Sequence, residues 1–298
     1  MINIQQHVSL AAYTTLQIGG CADWFSIPTS SDELIAAVEW AASKKIPYFI
    51  LGGGANILVS DQGFRGLVIC TRELNNCSVV EHNNSHTLVD IDAGADVTQA
   101  CEWCCRQELG GLDFLHSMPG TLGGAVWMNA RCYGSEIADI LHSVVYYTPG
   151  FGLERYTFAA GDWAYKKSPF QDSDRIILTV RLQLQHETAD VIQKRMNTYS
   201  QDRIQKGHFR FPSAGSTFKN NYDYGQPTGK IIDELNLRGT AQGDAQIAPY
   251  HGNIFINTGN ATAADMYSLI THVQQTVLER RGVELEPEIR FIGDWQRD

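Results

Sequence analysis

The chain has 298 residues, is 43% hydrophobic and 19% charged, and carries a formal net charge of −10. This balance excludes an intrinsically disordered chain and gives enough length for about two domains, each with its own core. The acidic total excludes a general nucleic-acid surface, because the nearest basic run, Arg203–Arg210 (RIQKGHFR), is short and suits a local anion site at most.

The first residues, MINIQQHVSLAAYTT, have neither the basic start nor the apolar run of a secretory signal. No apolar run approaches the roughly 18 residues of a membrane helix. Seven scattered cysteines, an odd number, fit reduced thiols and a cytoplasmic location. The cluster Cys101, Cys104 and Cys105 (CEWCC) has no second Cys/His pair nearby. It sits in an amphipathic pattern with Val97 and Leu109, so buried helix cysteines are expected there and no metal.

In chain order, Ser30 and Glu33 form a capping-box pattern ahead of a helical stripe of Leu34, Val38 and Trp40–Ala41. Pro47 closes that helix. YFIL then reads as a buried strand running into Gly52-Gly53-Gly54, and LVSD as another strand. SVVEH and HTLVDIDAG flank Asn83-Asn84-Ser85 as a hairpin. Asp96 opens a helix through about Leu109, Arg175–Gln185 alternates as a half-buried antiparallel strand, and Thr188 to about Ile204 is helical. Thr262 and Asp265 cap a helix with the stripe Met266, Leu269, Ile270, Val273 and Val277, stopped by Gly282. VELEPEIRFIG forms a last strand interrupted by Pro287. The α+β class follows, with a division at 186–205: an N-terminal domain of residues 1–195, in subdomains of about 1–60 and 61–195, and a second domain of 196–298.

Two glycine loops suggest a cofactor. LGGGANILVSD lets successive backbone amides approach an anion without Cβ obstruction. It matches neither the G-x-G-x-x-G dinucleotide fingerprint nor a phosphate loop with its lysine, and taken alone it reads equally as a plain turn. SMPGTLGGAVWMNARCYG adds Pro119-Gly120-Thr121, Gly123-Gly124, Asn129 and Tyr133. Two such loops suit a pyrophosphate clasped between subdomains, although packing can also demand small residues.

A third stretch, FPSAGSTFKN (Phe211–Asn220), puts a hydroxyl, a cation and a carboxamide within five residues, Ser216 to Asn220. Together with TTLQIGGCADWF, the two glycine loops, YKKSPF, HGNIFINTGNAT and LEPEIRFIG, it resembles the UDP-N-acetylenolpyruvoylglucosamine reductase family over nearly the whole chain. The resemblance implies an FAD-binding region of the vanillyl-alcohol-oxidase type in two subdomains, followed by a smaller α+β substrate-binding domain. It further implies non-covalent FAD, NADPH as reductant, UDP-N-acetylglucosamine enolpyruvate as substrate, and a role in peptidoglycan precursor synthesis. It points to the short form of the family, because the 47 residues between Ser168 and Ser216 leave no room for the tyrosine-bearing lid of the long form.

Carried over residue by residue, the resemblance implies hydride delivery from flavin N5, Ser216 as proton donor, and Glu288 as the carboxyl partner near the enolate-like intermediate. FAD is expected on Gly52, Gly53, Gly54, Ala55, Asn56, Ser117, Pro119, Gly120, Thr121, Gly123, Gly124 and Asn129. The substrate is expected on Tyr133, Tyr165, Arg203, Lys219 and Asn220. One departure stands out: where the family carries arginine in its YRxSxF motif, this chain has Lys166. Lysine keeps the charge and loses the planar two-pronged fork. Lys166 is expected to act as a weaker point-charge substitute at the enolate; the other readings are that another cation such as Lys167 or Arg203 takes over, or that catalysis is impaired. The alternative is a non-catalytic or impaired paralogue that binds FAD and senses a nucleotide sugar.

Overall fold

The computed structural model describes residues 2–295, which form two compact units interleaved along the chain. One comprises residues 2–5, 25–53 and 67–202, the other 6–24, 54–66 and 203–295.

The first unit is built on an antiparallel sheet whose strands run in the order Gly152–Thr157, Leu141–Thr148, Ile176–His186, Thr87–Asp92 and Cys77–His82. Its central strand alternates as the sequence predicts, with Val180, Leu182 and Leu184 buried and Gln183 outward. Arg181 uses the outer face to make a bidentate pair with Asp90, its register partner on the next strand, at 2.7 and 2.7 Å. Helix α1 (Ser31–Lys44) begins at Ser30, whose hydroxyl accepts the Glu33 amide. The Glu33 carboxylate turns to the Thr29 amide and hydroxyl at 2.8 and 2.9 Å, one residue before the box the sequence suggests. Tyr48–Leu51 follows and pairs in parallel with Leu67–Cys70.

Helix α2 (Val97–Arg106) is capped by Asp96, which accepts the Gln99 amide at 3.0 Å. It ends before Leu109, because Glu108 adopts a left-handed φ of 57° and Leu109–Gly110 then pairs with Gln185–His186. The buried face of α2, with Val97, Ala100, Cys101 and Cys104, shares one core with helix α3 (Leu122–Trp127) and the central strand. Helix α4 (Ala189–Gln205) contributes Ile192 and Met196 to the same core.

The second unit holds a sheet in the order Ser213–Ser216, Ile254–Asn257, Ala245–Ile247 and Ala241–Gln242, with helices α5 (Thr228–Glu234) and α6 (Ala263–Arg281). Helix α6 has the predicted capping box of Thr262 with Asp265, and ends at Gly282 with φ 65°. Asp61 accepts the amides of Ala263 and Ala264 at 2.8 and 2.9 Å, and Ile57–Val59 pairs in parallel with Arg290–Ile292. Leu16, Ile18 and Leu58 lie in this unit's core with Phe218, Phe255 and the stripe of α6. Residues 6–24 and 54–66, which a linear division assigns to the N-terminal domain, therefore pack with 203–295. No helix of the described residues is long and apolar enough to cross a membrane.

Candidate active site

In the first unit the two glycine loops touch through their backbones. A Cβ on Gly53 would lie 2.5 Å from Gly120 Cα and 2.9 Å from Gly120 C; one on Gly52 would lie 2.4 Å from Thr121 Oγ1. Gly123 is equally enclosed, a Cβ there meeting Ala93 Cβ at 2.8 Å. The second loop is anchored to the sheet: the Val97 amide donates to Gly120 O, and the amides of Leu122 and Gly123 donate to Ala95 and Ala93. Thr121 caps α3 by accepting the Gly124 amide, and Gly124 itself is exposed. Ser117, at φ 63°, hangs from Thr98 through its amide at 3.2 Å, and its hydroxyl meets His116 Nδ1 at 3.0 Å. Pro119 is exposed beside them. Cβ atoms are excluded from the meeting line, so backbone meets backbone there. These residues fit the pyrophosphate of a dinucleotide cofactor.

YKKSPF forms a tight turn with Tyr165 and Lys166 at its apex: the Lys167 amide donates to Ala164 O at 2.9 Å, and Lys166 takes a left-handed φ of 58°. Three side chains pin this turn. Asn129 Nδ2 donates to Ala164 O at 3.0 Å, Ser168 Oγ to Trp127 O at 2.8 Å, and Gln171 Nε2 to both Trp127 O and Lys166 O at 2.7 and 3.0 Å. Asn129 is fully buried and also accepts the Ala138 amide at 3.2 Å, so its carboxamide is engaged with backbone at both ends. The turn is thereby fixed to the end of α3, immediately after the second glycine loop. Lys166 and Tyr165 are half-buried, whereas Lys167 is exposed. Tyr133 stacks on Tyr199 at 4.2 Å and donates its hydroxyl to Asp202 at 2.9 Å.

In the second unit, Gly54 has φ 66° and a Cβ there would meet Tyr13 O at 2.1 Å; its carbonyl accepts the Thr15 amide. Ala55 and Asn56 follow, half-buried. Asn56 ties the glycine loop to the far end of the chain: its Nδ2 donates to Glu288 O at 3.0 Å and its carbonyl accepts the Arg290 amide at 3.0 Å.

Ser216 ends the strand Ser213–Ser216, after a bulge in which Gly215 takes φ 72° with nothing within 4 Å of its missing Cβ. The next residues pair with the segment holding Pro287: Glu288 N–H donates to Thr217 O at 2.8 Å, Lys219 N–H to Glu286 O at 2.9 Å, and Phe218 sits opposite Pro287. Ser216 and Glu288, 72 residues apart in sequence, thus lie on adjoining backbone segments, both half-buried. Lys219 is bound to Glu286 at 2.5 Å, so its charge is shared with that carboxylate. Asn220 accepts the Thr228 amide at 3.0 Å and serves the start of α5. Arg203 is buried near the end of α4, and its carbonyl accepts the His208 amide.

His251 is half-buried, and this partial desolvation lowers its pKa and favours the neutral ring; its Nδ1 accepts the Asn253 amide at 3.0 Å. The cysteines of α2 are buried thiols with pKa values raised by burial, and Cys101 donates to Leu112 O at 3.2 Å. Among the described residues no group of three or more His, Cys, Asp or Glu side chains could hold a metal ion.

Comparison with known proteins supplies the family. A model described as FAD binding domain matches residues 22–150, and one described as the C-terminal domain of UDP-N-acetylenolpyruvoylglucosamine reductase matches 206–292. These two matches fit the α+β fold and its cofactor-binding and substrate-binding parts. The chain is 40% identical to a UDP-N-acetylenolpyruvoylglucosamine reductase of Treponema denticola, over 98% of this chain and 94% of the relative. It is 42% identical to the enzyme of the same name from Borrelia garinii subsp. bavariensis, with the same coverage. The crystal structure of the Thermus caldophilus reductase superimposes with a TM-score of 0.81 at 32% identity, covering 98% of this chain and 99% of that one.

Proposed function

The chain belongs to the UDP-N-acetylenolpyruvoylglucosamine reductase family, and on that premise we propose that it reduces UDP-N-acetylglucosamine enolpyruvate to UDP-N-acetylmuramate with Ser216 as the proton donor. The reaction is FAD-dependent, uses NADPH, and supplies peptidoglycan synthesis. NADPH and a nucleotide sugar are cytoplasmic metabolites, so the enzyme works in the cytoplasm. Bound FAD would supply the redox chemistry that links NADPH to the enolpyruvyl double bond.

The chain's residues do the rest. Gly52, Gly53, Gly120 and Thr121 would hold the cofactor's pyrophosphate. Adding a hydride to one alkene carbon leaves negative charge on its neighbour, delocalised into the carboxylate. Lys166 stabilises that charge as a point cation, and Asn129, Ser168 and Gln171 hold its turn within its own unit. Ser216 gives its hydroxyl proton to the carbanionic carbon and is reprotonated from solvent. Glu288 orients the hydroxyl and the substrate carboxyl end. The observation that supports this reading is the hydrogen bond from Glu288 N–H to Thr217 O, which joins the backbone segments that carry Ser216 and Glu288.

The test is anaerobic. NADPH bleaches the bound flavin's visible absorption, and the enolpyruvyl nucleotide then restores it within a turnover. Bleaching without substrate-dependent recovery overturns the reductase reading in favour of a flavin-binding sensor.

A further inference from the structure

The strand ladder that carries Ser216 stops at Ser216 itself, paired with Ile254. On that side, Asn253 holds the two residues beyond it. Asn253 O accepts the Thr217 amide at 2.8 Å, its Oδ1 accepts the Phe218 amide at 2.9 Å, and its Nδ2 donates to Phe218 O at 2.8 Å. The carboxamide acts as one more peptide unit of the sheet. Pro287, the bridge partner on the other side, has no amide hydrogen to offer Phe218 O. Phe218 and Asn253 are both almost completely buried, so water does not satisfy these groups. The same segment, through Thr217 O, bonds to Glu288.

We infer that Asn253 is a positioning residue for proton delivery: its carboxamide locks Phe218, and with it sets Ser216 in register against Glu288. This rests on the assignment of Ser216 as the donor. Asn253 does not touch the reacting atoms in this account; it removes the freedom of the segment that does. Without the carboxamide, the buried N–H and C=O of Phe218 lose their partners and the segment shifts to find others. A displacement of about 1 Å at a reacting group can cost on the order of 10²-fold in rate.

The experiment measures both half-reactions of the FAD-loaded enzyme by stopped flow. Asn253→Ala bleaches with NADPH at the wild-type rate within about twofold, while reoxidation by the enolpyruvyl nucleotide slows about 10²-fold. In Asn253→Asp, the ionised side chain accepts from Phe218 N–H but repels Phe218 O; once protonated, it donates as the amide does. Its reoxidation rate therefore climbs as pH falls through the titration of that carboxyl group while its bleaching by NADPH does not, whereas a merely structural residue moves both half-reactions together. Asn253→Ala added to Ser216→Ala slows reoxidation no further. Wild-type reoxidation in Asn253→Ala, equal slowing of both half-reactions, or an Asn253→Asp enzyme without the acid-side recovery overturns the positioning role. If Ser216→Ala itself reoxidises at full speed, the donor assignment fails instead, so the two failures are distinct.

Discussion

Gly53→Ala is a direct test of the cofactor cradle, because the only thing it adds is a methyl group at a known distance. The new carbon would sit 2.5 Å from Gly120 Cα, 2.9 Å from its carbonyl carbon and 3.2 Å from its nitrogen. Ordinary carbon contacts begin near 3.5 Å, so the loops must part by about 1 Å. The atoms in the way are backbone, anchored through Gly120 O to the Val97 amide, and cannot swing aside. Overpacking of this kind costs about 1–3 kcal/mol. If the bound cofactor requires the native spacing, FAD affinity falls by roughly 5- to 150-fold at about 1.4 kcal/mol per decade. The matched control is Gly161→Ala, at a glycine with no positive φ and nothing within 4 Å. Titration of apoprotein with FAD, followed by quenching of flavin fluorescence, measures both. A Gly53→Ala dissociation constant within twofold of Gly161→Ala refutes the cradle.

Two other expectations rest on the same unit. Lys166→Ala lowers substrate-dependent reoxidation of the flavin about 10²–10³-fold while Lys167→Ala stays near wild type; equal losses, read from stopped-flow traces, would move the cation role elsewhere. Arg195 joins Asp113 at 2.7 Å and also bonds Glu187, so both carboxylates are held below their ordinary values of 3.8 and 4.5. For Asp113 burial is the largest single influence and pushes upward, and the arginine's hydrogen bonds and charge, together with the Gly111 amide, overcome it; for Glu187 the arginine is the main cause. The unfolded chain then binds more protons than the folded one at acid pH, so this stabilisation is complete above about pH 4.5 and is lost as pH falls through the lowered values. Arg195→Ala destabilises by about 2–3 kcal/mol near neutral pH, less than for a fully enclosed pair because the guanidinium is partly exposed, and its urea midpoint falls less steeply with acid than the wild type's.

Local patterns were legible where one stretch decides its own structure. Ser30, Asp96 and Thr262 were readable as helix starts because a capping side chain bonds an amide three residues away. The strand Ile176–His186 was readable because alternation records one buried face, and Cys101, Cys104 and Cys105 because they fall on the stripe of α2. The glycine loops could be seen as loops, but not that Gly53 would rest on Gly120, since an approach between segments 67 residues apart leaves no local mark. The same limit hid the packing of residues 6–24 and 54–66 with the C-terminal unit. Its one trace was Ile57–Val59, a wholly apolar triplet suited to a strand buried on both faces. Pro287 could be read as a break in the last strand, but not as the residue that leaves Phe218 dependent on Asn253. Asn129 reads as a cofactor ligand from its place beside a glycine loop; its carboxamide binds the backbone of Ala138 and Ala164. Nothing in its neighbours' identities distinguishes those two uses.

The most direct measurement of the central chemistry compares the two half-reactions in Ser216→Ala and Glu288→Gln. Both variants should bleach with NADPH as fast as the wild type and keep their flavin. Reoxidation by the enolpyruvyl nucleotide should slow about 10²–10⁴-fold in Ser216→Ala, the loss associated with a missing general acid, and substantially in Glu288→Gln. Reoxidation at the wild-type rate in either variant would contradict the assignment of an alcohol and a carboxyl group to the proton step.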